Sequence, residues 1–209
     1  AAERAGARVL ARPLDGFGPQ RAFALAHCTQ DWVLWLDADE RLDAAATRAV
    51  CDAAAAPAGG TACTLARRGW FLGRPIRFCG WRNERVLRLF PRAAARFGDE
   101  AVHERVRVEA RVVALPGRIE HHAYARWEDC TAKLVRYAAA GAAQALRAGR
   151  RAGPLDLLLR PPARFLRQYV LQLGVLDGAA GLALCGLAAA QVFLKYAAIW
   201  ERTRAGRGA

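Results

Sequence analysis

The chain has 209 residues, of which 54% are hydrophobic and 24% charged, and a formal net charge of +13. This length and apolar content suit one domain with a real core, with room for a helical appendage, and exclude long-range disorder. The six cysteines form no CxxC pair, which excludes a zinc ribbon and a thioredoxin-like motif; they read as reduced thiols of a cytosolic environment.

The first eight residues read as the end of a helix closing near Gly6, followed by a short strand over 9–11. A domain seldom opens on half a helix, so the chain is expected to begin inside a larger domain. Gly16-Phe17-Gly18-Pro19 is a turn opening a helix that reaches about His27, with Phe23 and Ala26 on its apolar face. Residues 32–36 are apolar without a break, as in a strand buried on both faces of a parallel sheet. Asp43 is placed to cap a helix reaching about Ala56, and Pro57 to Gly60 ends it. This alternation of helices and strands implies an α/β sandwich.

The middle is richer in strands, with candidates at 61–66 and 86–90. Residues 105–113 alternate, with Val106, Val108, Ala110 and Val112 on one face and Arg105, Arg107, Glu109 and Arg111 on the other. That pattern predicts a half-buried antiparallel strand, with 118–124 as its partner. From Trp127 the chain turns helical: one helix to about Gly149, then a segment that Pro161-Pro162 interrupts, then arginines mixed with Phe165, Leu166, Tyr169 and Val170. Residues 178–194 carry no charge. They fall short of the roughly 20 apolar residues of a spanning helix, so a helix lying on or dipping into a membrane face is expected, with a buried helix or an oligomer contact as the alternative. The expected division is an α/β part over 1–126 and a helical part over 127–209.

Lys133 and Lys195 are the only lysines, so the positive charge is nearly all arginine. Between Lys133 and Arg167 there are eight cations against Asp156 alone. Such a surface suits nucleic acid, anionic lipid or a phosphorylated substrate, or is simply a solvated face of an arginine-biased chain.

Asp37-x-Asp39 leaves the 32–36 strand. Ligands of α/β sheets bind beyond the carboxyl ends of strands. Two carboxylates there can meet one hard cation, Mg²⁺ or Mn²⁺, that bridges to a diphosphate; the plainer reading is an exposed acidic turn ahead of the next helix. His103-Glu104 follows Asp99 and Glu100. A glutamate at the mouth of a sheet can act as general base on a sugar hydroxyl, and the histidine can help hold the metal or orient that base; ordinary strand-edge polarity is the alternative. His121 and His122 are adjacent in a strand and point to opposite faces, so at most one faces any site. Trp70, Phe71 and Trp81 with Arg74, Arg77, Arg82 and Arg85 suit a phosphorylated or sugar acceptor, or equally a loop packed on the sheet.

With those residues placed, the run GFGPQRAFALAHCTQDWVLWLDADERL resembles the middle of a family 2 glycosyltransferase, of the subgroup of bacterial lipopolysaccharide core glucosyltransferases. FLGRPIRFCGW, VLRLFPR, VHERV, KLVRY, LLLRPPARFL and FLKYAAIWE continue the resemblance in order over nearly the whole chain. It implies an α/β fold of GT-A type, a mixed sheet flanked by helices and N-terminally truncated here, with a C-terminal helical membrane-associating region. Family members open with two strands carrying an Asn-Glu-like turn and an aspartate for base and ribose. This chain shows neither, so its nucleotide pocket is expected to be incomplete. Asn83-Glu84-Arg85 also departs from the Asp or Gln usual in the subgroup before the LRLF strand.

The resemblance implies inverting transfer from a nucleotide sugar, UDP-glucose first, to a lipid-linked saccharide such as the lipopolysaccharide inner core. The implied place is the cytoplasmic face of the inner membrane, peripheral or monotopic. The implied cofactor is a divalent metal, Mg or Mn, with Asp39 as ligand, Asp37 near the ribose and diphosphate, and His103 beside them. Glu104 matches the general base, with Asp99 in its place if Glu104 points away, and Gln20 and Arg21 lie near the nucleotide. The alternatives are a polyprenyl-phosphate acceptor, which needs no base, and a non-catalytic binder of anionic surfaces. Nucleic acid is not an expected partner, because no recognition motif or stacking set of aromatics is present.

Overall fold

The computed structural model of the chain describes residues 2–13, 16–82, 84–97 and 106–205. The chain divides into two units, Ala1–Arg67 with Arg85–Ile119, and Arg68–Glu84 with Glu120–Ala209. The strands are β1 (Trp32–Leu34), β2 (Glu40–Leu42), β3 (Thr61–Phe71), β4 (Arg74–Pro75), β5 (Arg85–Pro91), β6 (Ala95–Phe97), β7 (Val106–Val108) and β8 (Arg111–Tyr124). The α-helices are α1 (Phe17–Ala26), α2 (Ala44–Ala55), α3 (Trp127–Arg147), α4 (Pro154–Leu166) and α5 (Gly178–Ala205). Together they make a mixed α/β sheet flanked by helices, followed by a helical part that ends in a long apolar helix.

In the first unit the main sheet runs β1-β5-β3-β8-β2. β5 is antiparallel to β1, with Phe90 opposite Val33, and to β3, with Val86 opposite Leu65. The apolar run 32–36 is therefore not a central parallel strand: β1 ends the strand order, and Leu34 and Leu36 are each 37% exposed. Its unbroken apolarity serves two faces, because Trp32 packs with the cluster under α2 while Val33 and Trp35 pack with the opposite one. On the α2 side, Ala46 and Val50 meet Cys63, Leu65, Leu89 and Ile119. On the other side, Ala62 and Phe90 meet Ala95 and Val106 of the β6-β7 ribbon and Leu25 of α1. Leu25, not the exposed Ala26, turns inward from α1 beside the half-buried Phe23.

Asp43 caps α2 as its sequence predicts: Ala46 N–H donates to Asp43 Oδ1 at 2.7 Å. Such a cap contributes about 1 kcal/mol. β8 passes close to this capped start. A Cβ on Gly117 would fall 2.1 Å from Ala46 N, and its φ of +82° suits glycine alone.

Two strand expectations are corrected. The alternating run 105–113 is two strands: β7 pairs with β6 in a separate ribbon, and β8 joins the main sheet after a bend at 109–110. The bend shifts the phase by one residue. Val106, Val108 and Ala110 turn inward before it and Val113 and Leu115 after it, leaving Val112 55% exposed. Residues 118–124 continue β8 and are not its partner. At the N-terminus a short 3₁₀ turn, Glu3–Ala5, is closed by Gly6 at φ +78°, and residues 9–11 form no strand.

In the second unit α3 begins at Trp127 as its sequence predicts. Pro161 and Pro162 do not interrupt the next segment; they lie inside α4. Their rings remove the donors to the carbonyls of Leu157 and Leu158. Packing holds the helix together, with Leu157 set against Tyr196 and Ile199 of α5 and Phe165 against Leu184 and Cys185. α5 runs on past Lys195, and by length and composition it is the one helix among the described residues able to cross a membrane. It is consistent with peripheral or monotopic membrane association.

Candidate active site

α1 and the end of β1 frame a cavity of about 440 Å³ in the first unit. Gln20, Arg21 and Leu25 line it from α1, Cys28 from just after it, and Val33 to Asp37 from β1 and the residues after it, with Phe90 and Phe97. The strand explains the mixed wall. Its side chains alternate in direction, Trp35 N–H still donates to the Arg88 carbonyl of β5 at 2.8 Å, and Leu36 and Asp37 follow along the opening.

The polar part of the wall is an ordered network. Two guanidiniums lie over the Trp35 indole, Arg21 at 4.1 Å and Arg88 at 4.6 Å from the ring centroid. The indole Nε1–H donates to Asp37 Oδ1 at 3.2 Å, and Arg21 approaches the same oxygen at 3.7 Å. Arg88 Nη2 donates to Asp37 Oδ2 at 3.1 Å and to Glu40 Oε1 at 2.6 Å. Arg67 stands 3.8 Å from Glu40 Oε1. Glu40 Oε2 accepts the Asp37 backbone N–H at 3.2 Å, so Glu40 ties the turn 37–40 to the sheet. Glu40 and Arg88 are buried, at 7% and 4% exposure. Arg21, Arg67 and Arg88 thus meet Asp37 and Glu40 in one network. Gln20 Oε1 in the wall and Arg88 Nε behind it are buried without a hydrogen-bond partner.

The predicted site residues thus fall into two sets. Gln20, Arg21 and Asp37 share the cavity wall, and Asp39 lies in the turn just after it. Asp99, His103 and Glu104 lie outside the described residues. Among the described residues no group of three His, Cys, Asp or Glu side chains is close enough to hold a metal ion. A Mg²⁺ bound through one or two carboxylates and substrate phosphates needs no such group. Asp37 itself is engaged by Arg88 and Trp35.

Glu40, Arg67 and Arg88 were not legible as site residues. The DADE run displays Glu40, but only the pairing of β5 beside β1 and β3 brings Arg88 to it across 48 residues. The aromatic residues of the second unit's cluster are packed, while Arg74, Arg77 and Arg82 are exposed. Phe71 is buried, Trp70 Nε1–H donates to Glu120 and stacks on His122, and Trp81 fills the space over Gly69. Arg85, in the first unit, bonds the backbone carbonyls of Thr64 and Leu115.

No protein-family model matches the chain. It is 31% identical over 205 residues to the lipopolysaccharide core biosynthesis glycosyltransferase LpsC of Rhizobium meliloti, a match covering 93% of this chain and 73% of that protein. Shorter matches of 41 residues, 20% of this chain and 14% of each relative, are 49% identical to an uncharacterized glycosyltransferase of Rickettsia conorii and 46% identical to one of Rickettsia felis.

Proposed function

The chain belongs to the glycosyltransferase family that includes this lipopolysaccharide core enzyme, and on that footing we propose that it transfers a sugar, glucose, with inversion from a nucleotide sugar to a lipid-linked acceptor such as the lipopolysaccharide inner core. The observation that carries the reading is the cavity at the end of β1, lined by Arg21, Asp37 and Gln20, whose Oε1 is buried without a partner. Its volume falls within the range of small-molecule sites. Arg21 offers positive charge to a diphosphate, and Gln20 Oε1 offers an acceptor to an N–H or O–H of the nucleoside. Asp39 would hold a Mg²⁺ or Mn²⁺, with Asp37 beside it and His103 as a further ligand. When bound, the metal neutralises charge on the departing diphosphate. Arg88 and Glu40 keep Asp37 in one orientation.

Glu104 takes the proton of the acceptor hydroxyl, with Asp99 as the fallback base. The freed oxygen bonds to the anomeric carbon as the bond from that carbon to the diphosphate oxygen breaks, and the nucleoside diphosphate leaves with the electron pair. The acceptor is reached from the cytoplasmic face of the inner membrane.

The test is a thermal-shift panel of nucleotide sugars with and without Mn²⁺ on the parent and on Asp39→Asn, followed by transfer assays on Glu104→Gln and Asp99→Asn. A metal-dependent shift with UDP-glucose that Asp39→Asn removes is expected, with transfer abolished in Glu104→Gln. A shift that survives in Asp39→Asn refutes the metal role. Full transfer by Glu104→Gln refutes the base, and if Asp99→Asn is equally active it points to a phosphate acceptor.

A further inference from the structure

α4 is apolar on two sides. Leu157 and Phe165 pack into the second unit's core, while Leu155, Leu158, Leu159 and Leu166 are 69%, 67%, 58% and 56% exposed. At 100° per residue those four fall on one stripe of the helix. The reversal from α4 to α5 continues it, with Leu171 78% and Leu176 61% exposed.

This reversal is held in place. Gln168 Nε2–H donates to the Cys79 carbonyl at 3.1 Å, the Gln172 carbonyl accepts from Cys79 N–H at 3.1 Å, and the Asp177 carboxylate accepts from the backbone N–H groups of Arg77 and Phe78 at 3.0 and 2.9 Å. Its leucines are thus presented to solvent by a fixed backbone, and exposed apolar area of this kind marks an interaction surface.

The charge around it selects the partner. Arg164 and Arg167 are exposed along the same segment, Arg160 is held by Asp156 and lies over the Tyr196 ring, and Asp156 is the only acid among eight cations from Lys133 to Arg167. A second copy of the chain docked symmetrically would set arginine near arginine. Nucleic acid would leave the leucines without a partner. A bilayer of anionic lipid meets both, with acyl chains for leucine and phosphate headgroups for arginine.

We propose that α4 and the reversal after it form a monotopic membrane anchor, with Leu155, Leu158, Leu159, Leu166, Leu171 and Leu176 entering an anionic leaflet and Arg164 and Arg167 staying at its phosphates. α5 serves chiefly as the support of this anchor, since Leu184, Cys185, Tyr196 and Ile199 bury one of its faces. The inference rests on the reading of a lipid-linked acceptor given above, but its test uses no sugar transfer.

The test is co-sedimentation of the full chain with vesicles of phosphatidylcholine, with and without phosphatidylglycerol. Binding to the mixed vesicles is expected, at least about tenfold weaker to pure phosphatidylcholine. The pairs Leu158→Glu with Leu159→Glu and Leu171→Glu with Leu176→Glu should each weaken it by at least about tenfold. These positions are exposed, so the melting transition and the UDP-glucose shift stay as in the parent, and Val135→Glu on the exposed side of α3 leaves vesicle binding unchanged. Unchanged vesicle binding by both leucine pairs overturns the anchor, as does a dimer in vesicle-free solution that the same substitutions dissolve. Loss of the nucleotide-sugar response with vesicle binding intact counts against the proposed function alone.

Discussion

Replacing Arg88 by Met should destabilise the first unit more than any exposed arginine can. Arg88 is 4% exposed, and its Nη2 serves two carboxylates, Glu40 at 2.6 Å and Asp37 at 3.1 Å. The Glu40 side chain is wholly buried. Removing one member of a buried pair costs about 3–5 kcal/mol, because the remaining charge keeps its desolvation penalty and loses its partner. Arg67, 3.8 Å from Glu40, offsets part of this, so the lower end, about 3 kcal/mol, applies. For a chain of this size that lowers the melting temperature by about 6–12 °C. The assay is thermal and urea unfolding followed by circular dichroism on Arg88→Met, Glu40→Gln and the double variant. The double variant should recover most of the loss, since it leaves no uncompensated carboxylate at position 40 while an amide oxygen can still accept the Asp37 N–H. A single variant that melts within about 2 °C of the parent would refute the reasoning. A double variant no more stable than Arg88→Met would show that the loss comes from packing of the arginine stem on Trp35 rather than from the stranded charge.

Gly117→Ala should cost about 3 kcal/mol, from a strained positive φ and a forced shift of the backbone at Ala46. Gly60→Ala, with nothing within 4 Å of its added carbon, should melt with the parent; equal stability of the two variants would sink the account. Thiol labelling at pH 8 should proceed first at the exposed Cys51 and then at the half-buried Cys28, with Cys63, Cys79 and Cys130 labelled only after unfolding. Burial pushes the Cys63, Cys79 and Cys130 thiols up, Cys79 further through the neighbouring Cys185 and Asp177, so each carries less of the reactive thiolate at that pH than an ordinary cysteine. Native labelling of Cys79 at the rate of Cys51 would contradict this.

Part of the candidate site was legible along the chain. Asp37 and Asp39 stand out because they end an apolar run, and Gln20 and Arg21 because they open a helix after a glycine turn; Asp37, Gln20 and Arg21 share one wall, with Asp39 in the turn beyond it. The buried Glu40–Arg88 pair was not legible, since no local pattern distinguishes an arginine that will be buried from the 31 other cations of the chain. Trp35 reads as core and does pack on it, but its indole also carries the Arg21 and Arg88 guanidiniums.

What the sequence determined by itself was local: the Asp43 cap of α2, the start of α3 at Trp127, the turn closed by Gly6, and the surplus of arginine in 133–167. These rest on hydrogen bonds and dihedral preferences among residues a few positions apart, or on charge that any solvated fold keeps on its surface. Tertiary structure decided the rest. It set β1 at the end of the strand order, split the alternating run at 109–110 and shifted its phase, and carried α4 through two prolines against α5. Each outcome depends on which distant segment supplies the neighbour. A periodic pattern names a face to be buried, but the partner that buries it is chosen by the whole chain.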